Sequence, residues 1–336
     1  MAELTRTKTE LKDVLSKLEG DVALVMTMGA LHDGHLSLVR AAREAAPNVV
    51  VSIFVNPLQF GPGEDFEAYP RDLETDLALL DTVGVEVVYA PEVEDVYPRS
   101  PLVRIDPGPV ASVFEGKTRP THFAGVLQVV HKVFNLVQPD VAFFGQKDAQ
   151  QLALIRTMVT DLDMPLEIRA VPIKREDSGL AMSSRNTYLS EEEEIEALAL
   201  NQALVLGKDA AAHGATPAEA RDVALRYLSE APGVKLDYLA LVDPETFLDI
   251  TGESDESSVD AGIGDSGVGR AGAIGAGAEG AEAGVTEAEA KGDEAGLEGA
   301  GAEEAVTSKI ERGLLITAAW VGPTRLIDNM EVEFHG

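Results

Sequence analysis

Apolar residues fall along this chain in two kinds of run that alternate. Short continuous blocks at 22–26, 49–55, 85–89, 141–144 and 166–173 have the length and β-branched content of buried strands. Between them the spacing turns helical: Leu11, Val14, Leu15 and Leu18 predict a helix over 8–19. Leu38, Val39, Ala42, Ala45 and Ala46 predict one over 36–46, with Arg40, Arg43 and Glu44 towards solvent. Leu73, Leu77 and Leu80 mark 71–83, and Val126, Val130, Val133, Phe134 and Val137 mark 122–137, with Pro139 just beyond its end. Leu152, Ile155 and Val159 mark a helix after the strand at 141–144, while the proline-rich stretch 91–120 reads as irregular. Strand alternating with helix predicts an α/β fold with a doubly wound, mainly parallel, Rossmann-like sheet.

The pattern changes after the polar stretch 174–179, which suits a hinge. Residues 190–230 read as helical, with Thr216-Pro217 opening a second helix, and 236–242 and 314–321 as strands. The expected division is therefore a domain over 1–175 and a second, smaller α+β domain over 176–336. The second is interrupted at 251–308, where Gly, Ala, Glu, Asp and Ser dominate without any aromatic residue. With 14 acidic and 2 basic residues, that insertion reads as a disordered acidic loop between two strands.

Composition narrows the functions. The chain has 336 residues and no cysteine, which rules out disulfides, thiolate nucleophiles and cysteine-zinc sites. No signal peptide or bilayer-spanning run is visible, so a cytoplasmic protein without membrane attachment is expected. A net charge of -31 argues against nucleic acid as a partner. About -19 of it lies outside the insertion, so an acidic body, compatible with a salty cytoplasm, is expected as well. A small anion remains compatible, because a local cluster of Lys, Arg and His can oppose the global sign.

Such a cluster is visible at strand ends. Met28, Gly29, Ala30, Leu31, His32, Asp33, Gly34 and His35 link a strand to a helix. There, free N–H groups and the helix dipole bind anions, glycines admit close approach, and His32 and His35 can donate to phosphate oxygens. A tight turn with two surface histidines is the plainer alternative. Gln59 lies in a loop leaving the same sheet edge; a solvated glutamine is its alternative. Gly145, Gln146, Lys147 and Asp148 follow a third strand, where Lys147 suits a phosphate and Asp148 a helix cap. Gln150 and Gln151 open the helix after it. Met182, Ser183, Ser184 and Arg185 can wrap a triphosphate, Arg185 neutralising charge. His131 reads as a helix-surface histidine.

These stretches resemble the pantoate–β-alanine ligases (pantothenate synthetases), within the HxGH nucleotidyltransferase superfamily. The resemblance rests on TMGALHDGH at 27–35, VSIFVNPLQF at 51–60, RPTHFAGV at 119–126, NLVQPDVAFFGQKDAQQLALIR at 135–156, GLAMSSRNTYLS at 179–190 and AAWVGPTRLIDN at 318–329. It implies that ATP and pantoate give a pantoyl adenylate and pyrophosphate, whose acyl group β-alanine then takes with release of AMP. It implies magnesium with the ATP, with no protein ligand assigned to the ion, and a homodimer. Residues 28–35, 145–148, Lys174 and 182–185 then bind ATP, with His35 as proton donor and His32 its partner on the phosphates. Lys147 and Arg185 complete the catalytic set, and Gln59 and Gln151 hold pantoate, Gln59 being shared with β-alanine.

Three positions depart from the family pattern: Met26 for a proline, Gln146 for a glutamate, and Lys174 for an apolar residue whose backbone meets adenine. Met26 is expected to loosen the turn and Gln146 to remove a negative charge. Two other readings compete. A cytidylyl- or nucleotide adenylyltransferase would share the turn but has no need of both Gln59 and Gln151. A regulatory ATP binder without chemistry would lack the His32/His35 pair or Lys147.

Overall fold

The computed structural model describes residues 2–252 and 311–335. The expected insertion at 251–308 lies, apart from Thr251 and Gly252, outside the described residues. In chain order the elements are β1 (Glu3–Thr5), α1 (Lys8–Leu15), β2 (Val22–Thr27), α2 (Asp33–Ala45), β3 (Asn48–Ile53), α3 (Leu73–Asp81), β4 (Val87–Tyr89), α4 (Val93–Val96), α5 (Phe114–Thr118), α6 (His122–Val137), β5 (Val141–Gly145), α7 (Ala149–Asp161) and β6 (Glu167–Val171). Then follow α8 (Glu191–Ala212), α9 (Pro217–Glu230), β7 (Val234–Val242), β8 (Arg312–Val321) and β9 (Thr324–Glu333).

Six strands form one sheet in the order β1-β4-β3-β2-β5-β6, every pairing parallel. Period-two alternation sends neighbouring residues to opposite faces. Leu24, Ala142 and Phe144 face the core built with α1, α6 and α7, whereas Ala23, Val25, Val141 and Phe143 face the core built with α2 and α3. Burial on both faces is why the central strands β2, β3 and β5 are mostly apolar, whereas the edge strands β1 and β6 carry exposed charges. The strand order reverses between β2 and β5, and ligands of open α/β sheets bind outside the carboxyl ends at that point.

The Rossmann-like sheet with a smaller sheet beside it is the expected fold. The smaller sheet is antiparallel, β7-β8-β9. One face packs on α8 and α9, whose starts carry capping boxes at Ser190/Glu193 and Thr216/Glu219. The other face packs on α7 through Ala153, Ala240, Val242 and Ile316. Several local expectations need correction. Helix α2 starts at Asp33, not 36, because His32 caps it. The stretch 91–120 holds α4, α5 and a 3-10 turn at Pro109–Ser112. Strands β1 and β9 were not anticipated: β1 is a three-residue edge strand, and in β9 Asp328 and Asn329 are buried polar residues that break the alternation.

Candidate active site

The turn from β2 into α2 is held by a residue the sequence did not single out. Asp76, on α3 and only 2% exposed, accepts from the N–H of Ala30 (3.1 Å) and of Leu31 (2.7 Å). Gly29 at φ +85° and Ala30 at φ +50° supply the left-handed backbone the turn needs, and a Cβ on Gly29 would meet the Asp76 carboxylate at 2.9 Å. Burial raises the Asp76 pKa, and the two N–H donors oppose that rise. Asp76 sits one helical turn from Leu73 and Leu80, so an acid on the apolar face of α3 was the readable signal.

Five N–H groups of this turn, expected to be free, are engaged within the protein. Gly29 N donates to Thr27 Oγ1, Ala30 N and Leu31 N to Asp76, His32 N to His35 Nδ1 at 3.4 Å, and Gly34 N to His32 Nδ1 at 3.1 Å. The histidines themselves form the capping box of α2, their rings 4.1 Å apart. In both rings Nδ1 accepts from backbone, so the proton of each neutral imidazole sits on Nε2. Burial, then the Lys147 charge, lowers the His32 pKa to about 4; burial, then His32, lowers that of His35 to about 3. Near neutral pH this arrangement offers two Nε2–H donors where backbone donors had been expected. Gly34 is required by the same box, since a Cβ there would lie 2.7 Å from His32 Cε1.

A cavity of about 180 Å³ opens at the sheet edge, lined by Met28, His35, Gln59, Asp148, Gln151 and Arg185 and walled by Phe54, Val126, Val129, Val130 and Phe144. Asn56, 1% exposed, orients Gln59. The Oδ1 of Asn56 accepts from Leu58 N and Tyr97 Oη, and its Nδ2 donates to Gly125 O and to Gln59 Oε1 at 3.2 Å. Gln59 therefore turns its Nε2 donors towards Met28 Sδ and the cavity. A neighbouring cavity of about 580 Å³, running to the small sheet, is lined by Lys147, Asp148, Gln151, Ser183 and Arg185.

Other expected residues stand elsewhere or are engaged. Gly29, Ala30, Leu31, His32, Asp33, Gly34, Gly145, Gln146, Lys174, Met182 and Ser184 line neither cavity. Asp148 makes no side-chain cap on α7, against expectation, and lies 4.0 Å from Lys147 Nζ. Gln150 is structural: its amide donates to Val110 O and Val113 O and accepts from Glu115 N. Ser183 Oγ accepts from Arg185 N, and Ser184 Oγ pairs with Tyr69 Oη. The departures have local explanations. Gln146 Nε2 donates to Glu331, an acid that a glutamate at 146 would repel. Lys174 is exposed and contributes its backbone O to Met182 N, so its side chain is unconstrained. Met26 continues the β2 ladder opposite Ser52.

Four further residues of the site were missed. Arg185 is forked onto Asp65 at 2.9 and 3.1 Å, and Arg119 onto Glu64. Burial alone would lower the Arg185 pKa; the Asp65 contact overrides it and holds the guanidinium above its usual range. His122 Nδ1–H donates to Gln59 O at 3.0 Å while Nε2 accepts from Arg119, and burial, then Arg119, lowers its pKa to about 4. Arg119 and His122 stand in the RPTH stretch, and that motif was the available signal.

A family model described as pantoate-beta-alanine ligase matches residues 3–263. A pantothenate synthetase of Acidothermus cellulolyticus is 53% identical over 247 residues, 74% of this chain and 81% of that protein. One of Thermobifida fusca is 53% identical over 257 residues, 74% of this chain and 86% of that protein. Among solved structures, pantothenate synthetase from Thermus thermophilus superposes with a TM-score of 0.79 at 40% identity, covering 98% of this chain and 99% of that one. Pantoate-beta-alanine ligase from Francisella tularensis, complexed with beta-gamma ATP and beta-alanine, superposes with a TM-score of 0.68 at 26% identity, covering 98% and 97%.

Proposed function

The chain belongs to the pantoate–β-alanine ligase family, and from that footing we propose how its residues divide the reaction. The activity is ATP-dependent condensation of pantoate with β-alanine to pantothenate. The observation that carries the division of labour is the smaller cavity. Its apolar wall fits a branched aliphatic chain, and Gln59 and Gln151 meet that wall beside His35 and Arg185.

In our reading Gln59 Nε2 and Gln151 hold the pantoate carboxylate and hydroxyls. A carboxylate oxygen attacks the α-phosphorus of ATP, an O–P bond forms, and pyrophosphate leaves. Alignment and charge neutralisation suffice for such a step, because no covalent enzyme intermediate is needed. Lys147 and Arg185 neutralise the phosphates. His32 and His35 act as neutral Nε2–H donors to the charge that develops, a role that fits their low pKa values better than delivery of a proton from imidazolium. Then the free amine of β-alanine attacks the acyl carbon, forming the amide; AMP leaves and the amine proton passes to solvent. Shielding of the acyl adenylate from water is the task of the wall and of the 182–185 segment.

Among the described residues no group of three or more His, Cys, Asp or Glu is arranged to hold a metal ion. Magnesium is held by substrate phosphates and water with at most one or two carboxylates, and we assign the ion to the triphosphate as part of the substrate. We also propose a homodimer, in keeping with the resemblance, a cytoplasmic setting, a functional boundary at 175/176, and, from their placement on either side of the polar stretch 174–179, Lys147 and Arg185 approaching the phosphates from opposite sides of that boundary. Among the described residues no helix is long and apolar enough to cross a membrane. The deciding experiment is pantoate-dependent exchange of labelled pyrophosphate into ATP without β-alanine. Exchange is expected; its absence under conditions that support pantothenate formation refutes the adenylate order.

A further inference from the structure

Lys147 sits on the 3-10 turn Gln146–Asp148 between β5 and α7, and neither that turn nor α7 has a side-chain cap of its own. What holds the turn comes from the small sheet. The side-chain amide of Asn329, on β9 and 5% exposed, donates to Gln146 O at 2.9 Å and to Lys147 O at 2.8 Å. Both contacts use Nδ2, so one group grips two successive carbonyls 182 and 183 residues away in sequence. Gln146 Nε2 adds a third contact, to Glu331 of the same strand.

Asn329 is itself fixed. Its N–H donates to Asp328 Oδ1 at 2.8 Å, and Arg175 forks onto the Asp328 carboxylate at 2.7 and 3.0 Å and reaches Asn329 O at 3.3 Å. Arg175 also forms a backbone bridge with Ala181, at the base of the segment that carries Arg185. One strand thus meets both chain segments that bear the phosphate-site cations. A lysine is a flexible point charge, and only its backbone can be set in advance. Two carbonyls clamped to one rigid amide set the direction in which its Cα–Cβ bond leaves the turn.

We propose that Asn329 is a positioning residue for Lys147, through which the small sheet takes part in adenylation. The inference rests on the reading of Lys147 as a phosphate-binding group. It makes no claim that Asn329 touches substrate.

The test uses the full chain, with pyrophosphate exchange measured while ATP and pantoate are varied separately, for Asn329→Ala, Asn329→Asp, Lys147→Ala and the Lys147→Ala/Asn329→Ala double variant. Asn329→Ala is expected to lower kcat/KM for ATP roughly tenfold to a hundredfold, the scale of a misplaced catalytic group, with the KM for pantoate held within about twofold. Asn329→Asp keeps the shape but lacks donors, and should behave like alanine. In the Lys147→Ala background the loss of Asn329 should cost less than about twofold, because its route of action is already gone. Equal losses for both substrates, or a full additional loss in that background, overturn the proposal. Normal ATP kinetics in Lys147→Ala overturn the reading of the lysine beneath it. An impaired Lys147→Ala beside an Asn329→Ala at wild-type rates overturns the positioning role alone. If alanine at 329 prevents folding, the aspartate variant decides; if neither folds, the amide serves folding and the proposal fails.

Discussion

Replacing Asp76 with alanine removes both acceptors that hold the turn before α2. Two N–H groups, of Ala30 and Leu31, lose their partners, at about 1–3 kcal/mol each if they stay buried. Part of that is returned, because the carboxylate is desolvated in the fold and its pKa is raised. The left-handed Ala30 stores roughly 1 kcal/mol more, which the unheld turn is free to release by moving. We expect a net loss near 3 kcal/mol, or a Tm lower by roughly 6–12 °C at 2–4 °C per kcal/mol. The functional effect should exceed the thermal one. His32 and His35 follow directly on this turn, and a shift of about 1 Å can cost a hundredfold in rate. Asp76→Asn keeps one acceptor and turns an amide NH2 on the other N–H, so it should fall between alanine and wild type. The assay is a thermal melt together with KM for ATP and KM for pantoate. A Tm within about 2 °C of wild type together with ATP kinetics within about twofold would refute the reasoning.

Further outcomes follow from the same geometry. His35→Ala should slow pyrophosphate exchange about a hundredfold or more, with only a few degrees lost in Tm for half of a capping box; intact exchange in a strongly destabilised variant would make the histidine structural. Asp65→Asn should release Arg185 and tighten ATP binding severalfold by titration calorimetry; unchanged or weaker binding would show that Asp65 does not compete with the phosphates. His32, His35 and His122 are bases whose folded pKa values, about 4, 3 and 4, lie under an unfolded value of about 6.5. The unfolded chain therefore protonates first, and stability should fall as pH drops from about 6.5 towards 4. Denaturation curves over that window should lose about one proton of slope in His122→Gln, and an unchanged slope argues against a buried neutral ring at 122. Both the full chain and a variant lacking 252–307 should melt higher as KCl rises towards molar, since salt screens an acidic surface; flat or falling Tm rejects self-repulsion.

Apolar periodicity alone determined the frame of this protein. The blocks at 22–26, 49–55 and 141–144 had to be buried strands, since both faces of a parallel sheet are covered, and α6 appeared with its bounds intact because Pro139 and the apolar stripe mark them. The start of α9 was legible for the same reason, Thr216-Pro217 being a local signal. Motifs at strand ends located Gln59, Lys147 and Gln151, and the loop beyond the polar stretch 174–179 located Arg185; their proposed roles await the assays above. Tertiary structure decided what those residues are bonded to. His32 and His35 were read as donors at an open turn; their Nδ1 atoms cap α2, and the N–H groups of Ala30 and Leu31 go to Asp76, about 45 residues on. Asn329 meets Lys147 across 182 residues, and Asp65 meets Arg185 across 120. No local pattern encodes such pairs. A buried N–H or carbonyl must find a partner, but which one it finds depends on how separate elements pack, and packing is settled only when the whole chain folds.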